Sequence, residues 1–177
     1  QEIPEWHAQI IADLVYPIRG DFRSNKRSAV FTKWQIHGST PNPMQHSHHS
    51  TIRLPNSRKY PSGRLIDCVN FHLKSAITDM RLWQPSCWRN HAANRKLQRK
   101  QVLWSLALLQ SSTPFPDRPV VAAGDLNAPA SDPLHDLLRG HFTDSFNEVG
   151  VGWANTWHRR IPFQRIDYIY TSSLLRP

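Results

Sequence analysis

Residues 119–127, PVVAAGDLN, constrain this chain more than any other stretch. Two valines and two alanines form an apolar run too short for a helix, and it is bounded by proline and glycine, so it reads as a buried strand. The strand runs out into Gly124-Asp125-Leu126-Asn127. A carboxylate at such a strand end is held by a rigid scaffold and points into a cleft, and an amide two residues later lies on the same side if the backbone stays extended. The pairing suits phosphoester hydrolysis. Asp125 can orient and deprotonate a water, and Asn127 can donate a hydrogen bond to a phosphoryl oxygen as charge builds there. The alternative is a strand-to-loop turn in which Asp and Asn merely cap backbone groups.

Around this strand, helices and strands interleave, which places the fold in the α/β or α+β class. Residues 4–15 read as a short amphipathic helix, with Trp6, Ile10, Ile11 and Leu14 on one face. Residues 28–36 read as a strand and 38–49 as a polar loop containing His46, His48 and His49. A short strand at 51–54 leads through turn residues into a clear strand at 64–73. Residues 79–92 read as a polar and aromatic loop. A long helix follows from about Ala93 to Gln110, with Leu97, Trp104 and Leu108 on one face and Leu103, Leu106 and Leu109 as a second apolar strip. Ser131 is placed to cap a short helix ending near Leu138. Residues 151–159 and 164–171 look like two last strands joined by a turn. No repeat, low-complexity tract or linker divides residues 1–177, so one domain is expected.

Three further positions carry candidate chemistry. Asp167 lies inside the apolar run Arg165-Ile166-Asp167-Tyr168-Ile169-Tyr170. A buried Asp is costly unless paired, so it reads as a metal ligand or as the partner of a catalytic His; on an edge strand it would simply face water. His72, in Asn70-Phe71-His72-Leu73, sits at a strand end where it can contact a phosphate oxygen, although a lone His is commonly structural. Glu2, after Gln1 and just before a helix, could bind magnesium, a hard cation that prefers oxygen, or serve as a solvated acid that suits the helix dipole.

The order Gln-Glu, Asn-x-His-Leu, Gly-Asp-Leu-Asn, Arg-Ile-Asp-Tyr-Ile resembles the endonuclease/exonuclease/phosphatase superfamily, and the resemblance covers nearly the whole chain. It implies a four-layer sandwich, two face-to-face β-sheets flanked by helices. It implies that Glu2 binds Mg2+, with Mn2+ as a substitute, and that His72 lies near the scissile phosphate. It further implies that Asp125 aligns or activates the attacking water, that Asn127 contacts the phosphate, and that Asp167 orients a catalytic His or assists metal binding. The expected activity is hydrolysis of phosphodiesters, foremost by a nuclease. The alternatives are a lipid or inositol-phosphate phosphatase or phosphodiesterase, and a non-catalytic phosphate- or nucleic-acid-binding domain.

The family pattern also has a strand carrying an active-site Asn before Gln-Glu and a Ser-Asp-His after the last strand. Neither occurs between Gln1 and Pro177. The stretch is therefore expected to be incomplete at both ends, to expose strand edges, to be poorly soluble and to show weak activity or none by itself.

Composition bears on partners. With 22 Lys and Arg against 13 Asp and Glu the formal charge is +9, which favours polyanions such as nucleic acid. Residues 81–100 are basic and contain no acid. Arg81, Arg89 and Arg95 there, interleaved with Trp83 and Trp88, are candidates for substrate binding, against the reading of a solvated helix face. The three clustered His lack the ligand spacing of a zinc site. Two cysteines make no disulfide framework: Cys68 reads as buried, Cys87 as free in a polar loop. No apolar run is long enough to span a membrane. Nothing indicates a protein partner, so a monomer is expected, and the compartment is not readable.

Overall fold

The computed structural model describes residues 21–24, 29–41, 46–77, 80–112, 118–157 and 160–175. The expected helix at 4–15 and the candidate ligand Glu2 lie outside them. The class is α/β, as expected. A two-stranded antiparallel ribbon pairs β1 (Asp21–Ser24) with β2 (Ala29–Thr32). A six-stranded mixed sheet has the order β3-β4-β5-β6-β8-β7. Its strands are β3 (Gln35–Pro41), β4 (Ser47–Leu54), β5 (Arg64–His72), β6 (Val120–Asp125), β7 (Thr143–Asp144) and β8 (Asp167–Thr171). Among the described residues the only parallel pair is β5 with β6, and the chain makes that crossover through α1 (Pro85–Ser112), because parallel neighbours cannot be joined by a tight turn. Two short helices follow, α2 (Leu134–Arg139) and α3 (Ser145–Val149).

Period-two alternation builds the core. On β5, Asp67, Val69 and Phe71 are buried while their neighbours are half-buried. Val120 and Ala122 of β6 and Tyr168 and Tyr170 of β8 continue the same face, which packs against Val102, Leu106 and Leu109 of α1 and Leu134 and Leu138 of α2. His135 of α2 is fully buried beneath this face. Its ring nitrogens meet Tyr170 Oη at 2.8 Å and the Ala128 carbonyl at 3.2 Å, and burial holds its pKa below the ordinary histidine value. The contact fastens α2 and the loop after Asn127 to the sheet.

Several local expectations change. The strand expected at 28–36 is broken by a bend at Lys33-Trp34 into β2 and β3. The polar loop at 38–49 is largely strand, and His48 and His49 are buried in β4. Polar side chains hid a strand here because they find partners inside: His48 Nε2 meets Ser39 Oγ at 2.7 Å. Helix α1 begins at Pro85, eight residues before the expected start at Ala93, since Pro suits a first helical turn. Cys87 in that first turn is buried, whereas Cys68 is only half-buried. The buried side of α1 is also different. Leu97, Trp104 and Leu108 are half-buried and Leu103 is exposed, while Gln98, Gln101 and Ser105 are buried beside Val102, Leu106 and Leu109. Ser131 does not cap α2: the cap position is Pro133, and the side chain of Asp132 just before it accepts the Leu134 N–H at 2.9 Å. Of the two last strands only β8 is regular; in the segment before it, Trp157 makes an isolated bridge to Gln164. No helix among the described residues is long and apolar enough to cross a membrane.

Candidate active site

The register of three neighbouring strands assembles the site. His72 closes β5 opposite Asp125, which closes β6, and Asp125 in turn lies opposite Asp167, which opens β8. Partners in register project from one face of a sheet, so three residues separated by about a hundred positions meet at one sheet end. Backbone bonds carry the pairing past the strand ends: the Leu73 N–H donates to the Asp125 carbonyl and the Leu126 N–H to the Ile166 carbonyl, both at 2.9 Å.

Gly124 makes this approach possible. Its φ is 129°, and a Cβ would collide with the Phe71 carbonyl oxygen and Asn70 Oδ1. No L-residue side chain fits that conformation without strain. After Asp125 the backbone does not stay extended. Asn127 takes a left-handed φ of 47°, and its N–H donates to Asp125 Oδ1 at 2.7 Å, closing an Asx turn. The Asn127 amide group donates to the Leu73 carbonyl at 2.9 Å and to Asp125 Oδ2 at 3.1 Å. Both amide hydrogens are thus directed inward, and the side chain braces Asp125 against the exit of β5.

The electrostatics of the three residues differ. Burial, and then the charge of Asp167, push the Asp125 carboxyl above the ordinary carboxylate range, opposed by the Asn127 N–H and by His72. His72 is half-buried, and its Nδ1 is buried without a hydrogen-bond partner among the described residues. Asp167 is not the buried carboxylate its apolar surroundings suggested. It is exposed, because it is the first residue of β8 and faces the opening rather than the core. β7 pairs with β8 only at Tyr170 and Thr171, so beside Asp167 the strand has no neighbour on that side among the described residues, as in the alternative reading of an edge position facing water.

A cleft of about 510 Å³ opens beside Asp167, with Gly124, Phe146, Trp153, Thr156 and Arg165 in its walls. Thr156 Oγ1 accepts the Ile166 and Asp167 N–H groups, each at 3.2 Å, and so sets the start of β8. Arg165 is buried and grips Asp144 through both guanidinium ends, at 2.9 and 2.7 Å. It stacks over Tyr168, 4.1 Å from the ring centre, and its Nε donates to the Asp167 carbonyl at 3.3 Å. Sequence reasoning placed Arg165 beside Asp167 but missed Asp144, in the two-residue strand β7 and 21 residues before Arg165, and Thr156, in an irregular segment 11 residues before Asp167.

The basic stretch divides. Arg81 and Arg89 are exposed, as are Trp83 and Trp88. Arg95, grouped with them as a candidate substrate contact, is half-buried. It pairs with Asp132 at 2.9 Å and donates to Gln98 Oε1 at 3.0 Å, so its guanidinium holds neighbouring loops. Among the described residues no group of three His, Cys, Asp or Glu converges as a metal cage. Asp125 and Asp167 do supply hard oxygen donors side by side, and their mutual repulsion is what a divalent cation would relieve. The pair fits part of a magnesium shell.

The whole chain, residues 1–177, matches the sequence pattern of the Endonuclease/Exonuclease/phosphatase family. No curated protein sequence matches it. Among solved structures it resembles the endonuclease/exonuclease/phosphatase from Bacteroides vulgatus, with a TM-score of 0.68 and 14% identity over 98% of this chain and 71% of that one. It also resembles the human Nocturnin catalytic domain with bound sulfate, with a TM-score of 0.58 and 16% identity over 96% and 65%. A third is a mutant beta toxin from Staphylococcus aureus with bound magnesium ions, with a TM-score of 0.53 and 16% identity over 84% and 53%. At these identities the likeness is one of fold, the deoxyribonuclease I-like fold. The chain spans about half the length of the beta toxin structures it matches.

Proposed function

Because this chain belongs to the endonuclease/exonuclease/phosphatase family, we propose that it forms the centre of a metal-dependent phosphoester hydrolase, and that the preferred substrate is nucleic acid. The observation that carries the reading is the His72–Asp125–Asp167 register at one end of the sheet. Asp125 accepts a proton from water, whose oxygen attacks phosphorus in line with the leaving oxygen; the P–O bond to the leaving group breaks as the new one forms. A raised pKa makes Asp125 a better proton acceptor than an ordinary carboxylate. Asn127 holds its carboxylate in place through two hydrogen bonds. His72, half-buried at the same strand end, would contact a phosphoryl oxygen through the part of its ring other than the buried Nδ1. Magnesium, held by Asp167 with Glu2, would offset charge on the phosphate and the leaving oxygen. No covalent intermediate is required.

The +9 charge and the exposed Arg81, Arg89, Trp83 and Trp88 favour nucleic acid over small phosphomonoesters. A second reading has its own support. Val151, Trp153, Ile161 and Phe163 are exposed on the segment that walls the cleft, which favours a lipid phosphodiester. The test is magnesium-dependent nicking of supercoiled DNA by the protein carrying this chain, beside hydrolysis of a lipid phosphodiester in vesicles and of a soluble phosphomonoester. Nicking that is lost with EDTA and in Asp125→Ala is the expected result. Lipid hydrolysis without nicking would move the substrate to the second reading. Inactivity of a folded protein on all three would leave a non-catalytic phosphate-binding domain.

A further inference from the structure

Helix α1 carries a polar stripe where an apolar one was expected. Asn94, Gln98, Gln101 and Ser105 recur at intervals of four, three and four residues, which is one helical face. Gln98, Gln101 and Ser105 are buried. A buried amide is costly unless its hydrogen bonds are made, so the partners of this stripe show what it is for.

Gln98 is fully buried, and its two amide hydrogens reach both strand exits that form the site. One points at the Lys74 carbonyl, 2.5 Å away and two residues past His72. The other is shared between the Leu126 and Asn127 carbonyls at 3.4 and 3.3 Å, directly after Asp125. Its Oε1 accepts from Arg95, which is itself anchored to Asp132. Neighbours on the stripe act on the same loop: Gln101 Oε1 accepts the Lys74 N–H at 3.5 Å, and the Asn94 amide donates to the Ala76 carbonyl at 3.3 Å. One side chain therefore ties the exit of β5 to the exit of β6. Between those ties lie the Leu73–Asp125 and Asn127–Leu73 bonds that set the spacing of His72 and Asp125.

We propose that Gln98 is a positioning residue that fixes the separation of His72 and Asp125 from behind the site; its effect on turnover rests on the hydrolytic reading above. Gln98→Met keeps the volume and removes both donors, taking the Gln98 bond from the Lys74, Leu126 and Asn127 carbonyls, of which the last keeps Arg95 at 3.5 Å. Val102→Ala, one turn further along the same helix, loosens the core at a residue that is fully buried but bonds to neither loop. Two readouts are needed, both taken well below the melting temperatures of the variants. The first is amide hydrogen exchange at Leu73 and Asn127. It is expected to speed at least tenfold in Gln98→Met and to follow the global stability change alone in Val102→Ala. The second is turnover, where kcat is expected to fall at least tenfold in Gln98→Met with KM within twofold, and to stay within twofold in Val102→Ala. Equal exchange in the two variants, or a kcat loss no larger than that of Val102→Ala, would overturn the proposal. A wild-type protein inactive on every phosphoester, with the exchange difference intact, would support the tie between the strands and overturn the hydrolytic reading with its turnover effect.

Discussion

The same pair of strands carries a carboxylate near each end, and the two are treated in opposite ways. Asp67 lies at the beginning of the β5–β6 pairing and Asp125 at its end. Asp67 is 1% exposed, and burial alone would raise its pKa. The His49 ring, with Nε2 3.3 Å from Oδ1, a hydrogen bond from Thr51 and the charge of Arg118 instead hold it below the ordinary value. Thr51 Oγ1 donates at 2.7 Å, and Arg118 reaches both carboxylate oxygens at 3.2 Å. Asp125 is less buried and has no cationic side chain bonded to it among the described residues. It faces Asp167, a like charge, and its pKa goes up. A carboxylate whose charge is fully answered by protein is finished as structure. One whose charge is left partly unanswered is available to a proton, a cation or a substrate.

The largest effect should come from the unanswered end. Asp125→Ala is expected to lower kcat by about a thousandfold, within the range of general-base contributions, while the protein stays folded by circular dichroism. An active Asp125→Ala protein would remove the contrast at its root. Next is Gly124→Ala, which forces a Cβ onto the Phe71 carbonyl at a φ of 129°. It is expected to destabilise the fold by about 3 kcal/mol in urea unfolding. A wild-type midpoint would mean that the two strand exits need not approach so closely.

The answered end should behave as structure. Asp67→Ala is expected to cost about 2 kcal/mol, the scale of hydrogen bonds to a charged group, and to leave kcat within twofold. Because the folded pKa of Asp67 is depressed, its contribution is present above the unfolded value of 3.8 and is lost as pH falls through the folded value. The gap between wild-type and Asp67→Ala midpoints should therefore close on acidification. For Asp125 the raised pKa reverses the sign. Its ionisation weakens the fold as pH rises through the folded value, so an Asp125→Asn protein should gain stability relative to wild type towards neutral pH. Parallel pH dependences for the two variants would break the comparison.

What could be read in advance follows the same division. The strand ending in Asp125 and the one ending in His72 were legible because apolar runs bounded by turn residues have few other readings. Asp167 was legible as a candidate, with exposure as its alternative, but the choice was not, since its position at the first residue of β8 depends on Thr156 and Arg165 fixing the strand start. The burial of His48 and His49, and the polar side of α1, were not legible. Periodicity counts apolar residues, and these positions are buried by paired polar ones. The stripe at Asn94, Gln98, Gln101 and Ser105 was visible as a spacing, but nothing in the sequence says that its partners are the carbonyls after His72 and Asp125.

At saturating magnesium, which offsets the loss of a proposed metal ligand, the smallest expected effect is the most specific. Asp167→Asn removes a charge and keeps the shape. The bonds that fix residue 167 run through its backbone, from its N–H to Thr156 Oγ1 and from Arg165 Nε to its carbonyl, so the strand start should be unchanged. Asp125 then loses the like charge across from it, one of the two influences that raise its pKa, and keeps the burial that is the larger one. The acid limb of the kcat/KM profile, where Asp125 must be deprotonated to accept a proton, should move to lower pH without disappearing. Asp67, at the far end of the strands, offers the control. Its substitution should leave that limb where it is, because its charge is already met by Arg118, His49 and Thr51. An acid limb that stays fixed in Asp167→Asn would mean that the two facing carboxylates do not share a field, and that burial alone sets Asp125 apart from Asp67.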